Sequence, residues 1–455
     1  MHTSKPITRR SFLATTTTAS ATAFAMARAE GAAKKAAPSE RLNVVTIGAG
    51  GQARANILEL NRTGLVNFLA FSDVDDQRAA TTYRQFPDVP TFKDFRRMLD
   101  QIKDCDAVLV ATPDHMHAPA TLATLQLGKH VYCEKPLTHT VHEARVVAET
   151  AAKQGVATQM GNQGTAFDGP RRLIEWLQAG VIGPVREVHA WSDRPTHEGK
   201  ILWPQGVERP TDTPPVPEEL DWDLWLGPAP ERPYHSDYLP FKWRGWWDFG
   251  SGGLGDMGIH NIAPIFDALQ LDAPTSVTAS STLFNADSLP LASTVHYQFP
   301  QRGERPPVEL HWYDGGMLPE RPDELEAGEE LDREDGIIFI GDKGKILVEG
   351  WGGKTPRLIP KSKMESTTLP TESIPPSIGH HREWIEACKG NGTTRSPFSF
   401  AGPLTESVLL GVVAVRTQRT LEWDTKTLKV TNVPEANTFI TKQYRKGWEL
   451  GKLGS

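Results

Sequence analysis

The chain has 455 residues, 49 Lys and Arg against 56 Asp and Glu, a formal charge of −7, and three cysteines. This acidic balance argues against a nucleic-acid partner, whose phosphates must be neutralised by clustered Lys and Arg. The length exceeds one ordinary hydrophobic core, so at least two domains are expected.

Thr8-Arg9-Arg10-Ser11-Phe12-Leu13 reads as a twin-arginine export pattern, followed by a weakly apolar Ala/Thr stretch with cleavage after Ala27 or Ala29. Residues 1–29 are therefore expected to be a signal peptide and 30–40 a linker, with the folded chain delivered to the periplasm or outside the cell. Its removal leaves 45 basic against 56 acidic side chains. No later run holds 18 consecutive apolar residues, so no membrane anchor is expected after cleavage. The twin-arginine route carries chains that are already folded. Cys105, Cys133 and Cys388 lack metal-ligand spacing and are expected to be free thiols.

From Arg41, short apolar runs alternate with helix-like segments. Strands are predicted at Leu42–Ile47, Val66–Phe71, Ala107–Ala111, His130–Cys133 and Val156–Met160, and helices at Ala53–Asn61, Pro119–Leu127 and Val141–Lys153. Apolar strands separated by helices indicate a parallel sheet covered on both faces, a doubly wound Rossmann domain over 41–163. Residues 164–455 read as a second α/β domain on a large, mostly antiparallel sheet. Its strands are expected at Val185–Ser192, Ser276–Leu283, Ser293–Phe299 and Val308–Tyr313, with a hairpin over Ile337–Val348 turning at Asp342-Lys343-Gly344. Arg194–Pro240 is a Pro-rich, Trp-containing excursion expected to be a functional loop or cover, and Pro319–Asp335 a solvated acidic loop.

Gly48-Ala49-Gly50-Gly51-Gln52-Ala53 follows the first strand and opens a helix, the context that gives the G-x-G-x-x-G/A pattern its meaning. Gly48 allows the tight turn, Gly50 the approach of backbone to a diphosphate, and Ala53 close helix–strand packing, with the phosphates at the helix N-terminus. Asp73, at the end of the second strand, is placed to accept from the adenosine ribose and to repel a 2′-phosphate, which favours NAD over NADP. Thr112-Pro113-Asp114-His115-Met116-His117 falls where the fourth strand ends. His115-x-His117 with Asp114 lacks a third strong metal ligand, so no metal is expected; Thr112, Pro113 and His117 are read as lining the nicotinamide cleft.

With Glu134-Lys135-Pro136 and Asp256-x-x-x-His260 following in order, the chain resembles the glucose–fructose oxidoreductase, inositol dehydrogenase and MocA family over nearly its whole length after the signal peptide. Gly161-Asn162-Gln163, Trp246-Trp247-Asp248-Phe249-Gly250 and Ala401-Gly402-Pro403-Leu404 look like a secreted bacterial branch of it. The resemblance implies that Lys135 lies beside the nicotinamide and substrate, that Glu134 helps place it, and that His260 acts as base with Asp256 orienting it. Inositol-dehydrogenase-like members often carry an acid three residues past the His, where this chain has Ala263, which weakens an assignment to inositol.

Seven of the 13 tryptophans, Trp191, Trp203, Trp222, Trp225, Trp243, Trp246 and Trp247, cluster before the Asp256 segment. Most are expected to pack the excursion and one or two to form a sugar-stacking wall. His380 and His381 are further cleft candidates. The expected function is a periplasmic NAD-dependent oxidoreductase with tightly held cofactor, acting on a secondary hydroxyl of a sugar, glycoside or cyclic polyol, and assembled as a homo-oligomer. The alternatives are a glycoside hydrolase, lyase or epimerase working through a transient keto-sugar, and a non-catalytic sugar sensor.

Overall fold

The computed structural model describes residues 40–450. The expected signal peptide and all but the last residue of the linker lie outside the described residues.

The first domain is built on six parallel strands in the order β3-β2-β1-β4-β5-β6. They are β1 (Leu42–Ile47), β2 (Val66–Ser72), β3 (Thr91–Phe92), β4 (Ala107–Val110), β5 (His130–Glu134) and β6 (Thr158–Gly161). Helices α1 (Gln52–Arg62), α2 (Asp76–Gln85), α3 (Phe95–Gln101), α4 (Asp114–Gln126) and α5 (Val141–Gln154) make the crossovers. Every residue of β4 is buried, as its unbroken apolar sequence requires of a strand covered on both faces. A Thr140/Glu143 capping box starts α5, and left-handed Gly155 stops it.

Helix α4 begins five residues before the predicted Pro119, which lies inside it. Proline removes the N–H that would serve the His115 carbonyl. The Lys442 ammonium, 3.3 Å away, donates to that carbonyl instead.

The strand order reverses between β1 and β4, so a crevice opens at their carboxyl ends, where doubly wound sheets bind ligands.

After α6 (Asp168–Gln178), a nine-stranded sheet forms in the order β15-β14-β13-β7-β12-β11-β10-β16-β17. Its members are β7 (Val185–Ser192), β10 (Ser276–Ser281), β11 (Ser293–Phe299), β12 (Val308–Tyr313), β13 (Asp335–Gly341), β14 (Gly344–Glu349), β15 (Thr355–Ile359), β16 (Leu421–Asp424) and β17 (Lys429–Val430). Only β7 and β12 pair in parallel, so the sheet is mostly antiparallel as expected. The β13/β14 hairpin turns through Asp342-Lys343, with Gly341 paired to Gly344.

One sheet face, including Val188, Ala190, Val295, Leu310 and Trp312, enters the main core. Helix α8 (Ile259–Leu269) and, after the short α9 (Lys361–Ser366) and α10 (His380–Cys388), helix α11 (Phe398–Thr417) pack against that face. Helix α11 is long and apolar enough to cross a membrane, yet 78% of its most apolar window is buried against α5, β10 and β11, which makes it a core helix. Helix α10 returns to the first domain, where Trp384 and Ile385 join the core beneath α1. The acidic stretch 319–335 is more than a solvated loop, because Leu325 and Leu331, with Leu318, pack over Trp191, Ile338 and Leu347 on the outer sheet face. Most of its charged side chains face outward and its leucines inward, while Asp335 at its end is buried and accepts from Asn261 Nδ2 at 2.9 Å.

The excursion carries a two-residue hairpin, β8 (Thr196–His197) and β9 (Lys200–Ile201), and one helical turn, α7 (Trp222–Leu226). It has its own small core of Leu220, Trp225, Leu226, Tyr238, Trp246 and Phe249. It docks on the first domain where the Asp76 N–H donates to the Glu219 carbonyl at 3.1 Å and Asp75 bridges to Leu220.

Candidate active site

A cleft of about 330 Å³ runs from the glycine turn, past the carboxyl ends of β1, β2 and β4, to Glu134 and Lys135 at the end of β5. Gly48 has φ +100°, and a Cβ there would collide with the Ala111 carbonyl, so only glycine lets β1 turn this close to β4. Gly50, Gly51 and Gln52 line the cleft, while Ala53 is fully buried behind them. Asp73 Oδ2 accepts the N–H groups of Ala49 at 2.8 Å and Gly50 at 3.1 Å. Burial raises its carboxyl above the usual range against these bonds. The cradle of glycine backbone and an acceptor at the end of β2 fits a dinucleotide. Thr112 and Pro113 line the next stretch, and the excursion contributes Trp225, Trp243 and Arg244. Trp448 also lines the cleft, tilted against Phe95 at 6.2 Å between ring centres and under the Arg96 guanidinium.

Lys135 and Asp256 meet at the inner end. Asp256 lies in a π-helical turn, Leu254–Gly258, that leads into α8; such turns concentrate at functional sites. A Cβ on Gly255 would run into Ser251, so that turn needs glycine where it passes the preceding loop. Lys135 Nζ donates to Asp256 Oδ1 and to the Asp256 carbonyl, each at 2.8 Å. Arg244 Nε donates to the same Oδ1 at 2.8 Å, its guanidinium sandwiched against Phe241 and Trp243 at 4.1 and 4.2 Å. Burial opposes the charge on Asp256, but Lys135 and Arg244 outweigh it and hold the carboxyl far below its usual range.

His260 sits one turn further along, edge-on to Trp351, with Nδ1 buried and without a hydrogen-bond partner. Burial, aided by Lys135 and opposed by Asp256, lowers its pKa to about 3. The expected Asp256–His260 orienting bond is not formed. Two cations claim the carboxylate, and charge-assisted bonds outcompete one to a neutral imidazole. Asp256 therefore positions Lys135 and acts on His260 only through its field.

Glu134 places Lys135 from beneath. It accepts from the Lys135 N–H at 3.2 Å, from Asn56 Nδ2 at 2.8 Å and from Gln163 Nε2 at 3.1 Å. His117 does not reach the cleft: its ring spans the Pro136 and Thr112 carbonyls at 2.7 and 2.9 Å, and so ties the end of β4 to the loop carrying Lys135. His380 and His381 are not cleft residues either. His380 bonds to the Met160 carbonyl at 3.2 Å, while His381 stacks on Tyr132 and reaches Asn56 Oδ1 at 3.0 Å.

Of the seven clustered tryptophans, Trp225 and Trp243 line the cleft, while Trp191, Trp203, Trp246 and Trp247 are buried in packing. Ala263 lies in the main core.

Arg244 escaped the sequence pattern, since nothing in its spacing distinguishes it. Asp114, considered in the sequence only beside the two histidines, is buried instead: its Oδ2 accepts from Ser251 Oγ at 2.6 Å, and burial raises its pKa to about 7 against that bond. Its neighbour His115 turns away to the Trp225 carbonyl at 3.0 Å, so Asp114, His115 and His117 do not converge.

Residues 42–162 match the model of an oxidoreductase family described as an NAD-binding Rossmann fold, and 173–302 match the C-terminal α/β domain of the same family. Glucose-6-phosphate 3-dehydrogenase of Bacillus subtilis (strain 168) is 31% identical over 115 residues, 25% of this chain and 32% of that protein. The 2,7-anhydro-N-acetylneuraminate hydratase of Mediterraneibacter gnavus is 31% identical over 88 residues, 19% of this chain and 24% of that protein. The chain thus spans about a third or less of the length of these curated relatives. The crystal structure of the WlbA dehydrogenase from Bordetella pertussis, in complex with NADH and UDP-GlcNAcA, superposes with TM-score 0.58 at 15% identity, covering 84% of this chain and 99% of that one. That likeness establishes the two-domain fold. With its Rossmann and C-terminal models matched in order over more than half its length, the chain belongs to the Gfo/Idh/MocA oxidoreductase family.

Proposed function

We propose that this protein is an exported NAD-dependent oxidoreductase that takes hydride from a secondary hydroxyl of a sugar, glycoside or cyclic polyol. The observation that carries this reading is Lys135, held by Asp256 and Arg244 at the inner end of a cleft whose other end is the glycine turn.

The nicotinamide supplies the hydride acceptor. Gly50, Gly51, Gln52, Asp73, Thr112 and Pro113 are the residues that would hold the dinucleotide along the cleft. Lys135 donates a hydrogen bond to the oxygen on which negative charge develops. His260, neutral above about pH 3, takes the hydroxyl proton. Asp256, ionised beside it, offsets the imidazolium that results. The carbinol C–H leaves as hydride, the O–H proton passes to His260, and a carbonyl remains.

Tight cofactor retention is supported by the excursion docked at Asp75 and Asp76 and by Trp448 packed on Phe95, which both cover the cleft. Periplasmic delivery rests on the Arg9-Arg10 signal. A homo-oligomer is supported by the outer sheet face that Leu318, Leu325 and Leu331 cover only in part.

The similarity to a hydratase favours a second reading on the same site. Oxidation at one ring carbon acidifies the neighbouring C–H, elimination or hydrolysis follows, and the hydride returns to the product.

The test is the ultraviolet spectrum of freshly purified protein before and after addition of candidate sugars. A reduced-nicotinamide band arising without added cofactor establishes retention and hydride transfer together. Cleavage of a glycosidic bond with no net band selects the second reading, and neither signal with any sugar leaves the sensor.

A further inference from the structure

Three histidines from distant parts of the sequence form one lateral row on the nine-stranded sheet. His296 of β11 is paired with His311 of β12, and His311 with His189 of β7. Glu309 and Glu187 pair in the adjacent row. Side chains two apart on a strand share a face, so all five stand together, opposite the core face that carries Val188, Val295 and Leu310.

The carboxylate and the two nearer rings converge. Glu187 Oε1 is 2.9 Å from His189 Nε2 and 3.5 Å from His311 Nε2, and one ligand atom from each of the three lies within 4.8 Å of the others. The far nitrogen of each ring is held by a neighbour: His189 Nδ1 by Tyr313 Oη at 3.0 Å, and His311 Nδ1 by His296 Nδ1. His311 Nε2 itself is buried and has no hydrogen-bond partner.

We propose that Glu187, His189 and His311 form a binding site for a divalent transition-metal ion, with Zn²⁺ the best chemical match. Two imidazoles and one carboxylate form a ligand set that suits Zn²⁺, whereas Mg²⁺ and Ca²⁺ demand oxygen ligands. A ligating histidine ordinarily has its other nitrogen fixed by a second group, which sets the tautomer and aims the ring. Tyr313 and His296 provide that group here. In the single chain Glu187 is 41% exposed and both rings about 15%, so the coordination can be completed by water or, where this face meets another copy, by a group of that copy. The site lies on the outer sheet face, shares no residue with the nucleotide cleft, and stands whether or not the dehydrogenase proposal does.

The test is titration of the purified protein, first stripped with a chelator, with Co²⁺ followed by visible absorption. The expected result is ligand-field bands of a low-coordinate ion, saturating at one equivalent per chain and abolished by one equivalent of Zn²⁺. Loss of a ligand in Glu187→Gln or His311→Ala should weaken binding by more than the factor of about 10 to 100 typical of an outer-shell loss, and His296→Ala, a positioning variant, by about that factor. Glu187→Gln keeps side-chain volume at a half-exposed position, and its unfolding midpoint in chelator should match the parent, so it decides the matter alone. Absence of a saturable band overturns the proposal, as does parental affinity in Glu187→Gln, which would place any bound ion elsewhere.

Discussion

Lys135 Nζ bonds both the side-chain Oδ1 and the main-chain carbonyl of Asp256, 121 residues later, each at 2.8 Å. This double contact clamps the end of β5 to the π-helical turn before α8, so the Lys135 ammonium is fixed by both domains at once. Removing it should therefore show in chemistry more than in cofactor binding. Lys135→Met and His260→Ala should each lower single-turnover reduction of bound cofactor by about 10²–10⁴, with NAD still bound. Because His260 stays neutral above about 3, kcat/KM should show no limb at the usual histidine value of 6.5. Parental hydride-transfer rates in both variants would remove the mechanism, and an acid limb at that value would show that His260 titrates as an ordinary imidazole and overturn its lowered pKa.

Arg244 shares Asp256 with Lys135 and is stacked between Phe241 and Trp243. Arg244→Lys keeps the charge but loses the planar contacts. It should cost about 1–2 kcal/mol, the range of desolvated cation–π contacts. A lower denaturation midpoint at unchanged slope, together with slower turnover, is the expected result.

Asp73 holds the glycine turn through the N–H groups of Ala49 and Gly50, and the ribose role proposed for it can be tested separately. Asp73→Ala should weaken NAD by about 10- to 100-fold, the equivalent of about 1.5–3 kcal/mol for bonds to a charged group, and should narrow the preference over NADP. Binding titrations with both nucleotides check this, and an unchanged ratio would free Asp73 from the ribose role.

Asp114 bears on stability against pH. Its folded pKa, about 7, lies above the ordinary 3.8. Between those values the folded chain holds a proton that the unfolded chain has lost. The stability this group contributes is complete below the lower value and is lost as pH rises through the upper one. Asp114→Asn cannot titrate, so it should gain on the parent by up to about 1.4 kcal/mol per pH unit across that window. Urea midpoints of both proteins below and above the window measure the gain, and parallel curves would refute it.

Arg9→Lys with Arg10→Lys should leave a folded precursor in the cytoplasm, because the export signal is read as an arginine pair. Cell fractionation with an activity assay checks this. Full recovery of the double variant outside the cytoplasm would remove the export reading.

Local sequence was sufficient for everything that rests on neighbouring residues. Buried β4 announces itself by four apolar residues, and the Gly48–Ala53 turn by glycines whose φ or clearance no other residue tolerates. The order of Lys135, Asp256 and His260 along the chain indicated a shared site by family resemblance. What joins them was decided by tertiary structure. The family resemblance implies that Asp256 orients His260, but folding brings Lys135 and Arg244 to it, and a carboxylate at low dielectric goes to the cations. His117 reads as a cleft residue in the sequence, but β4 and the loop after β5 close around it with two carbonyls. Strand register, set by packing over more than a hundred residues, aligned His189, His296 and His311, and no local pattern could have placed them side by side.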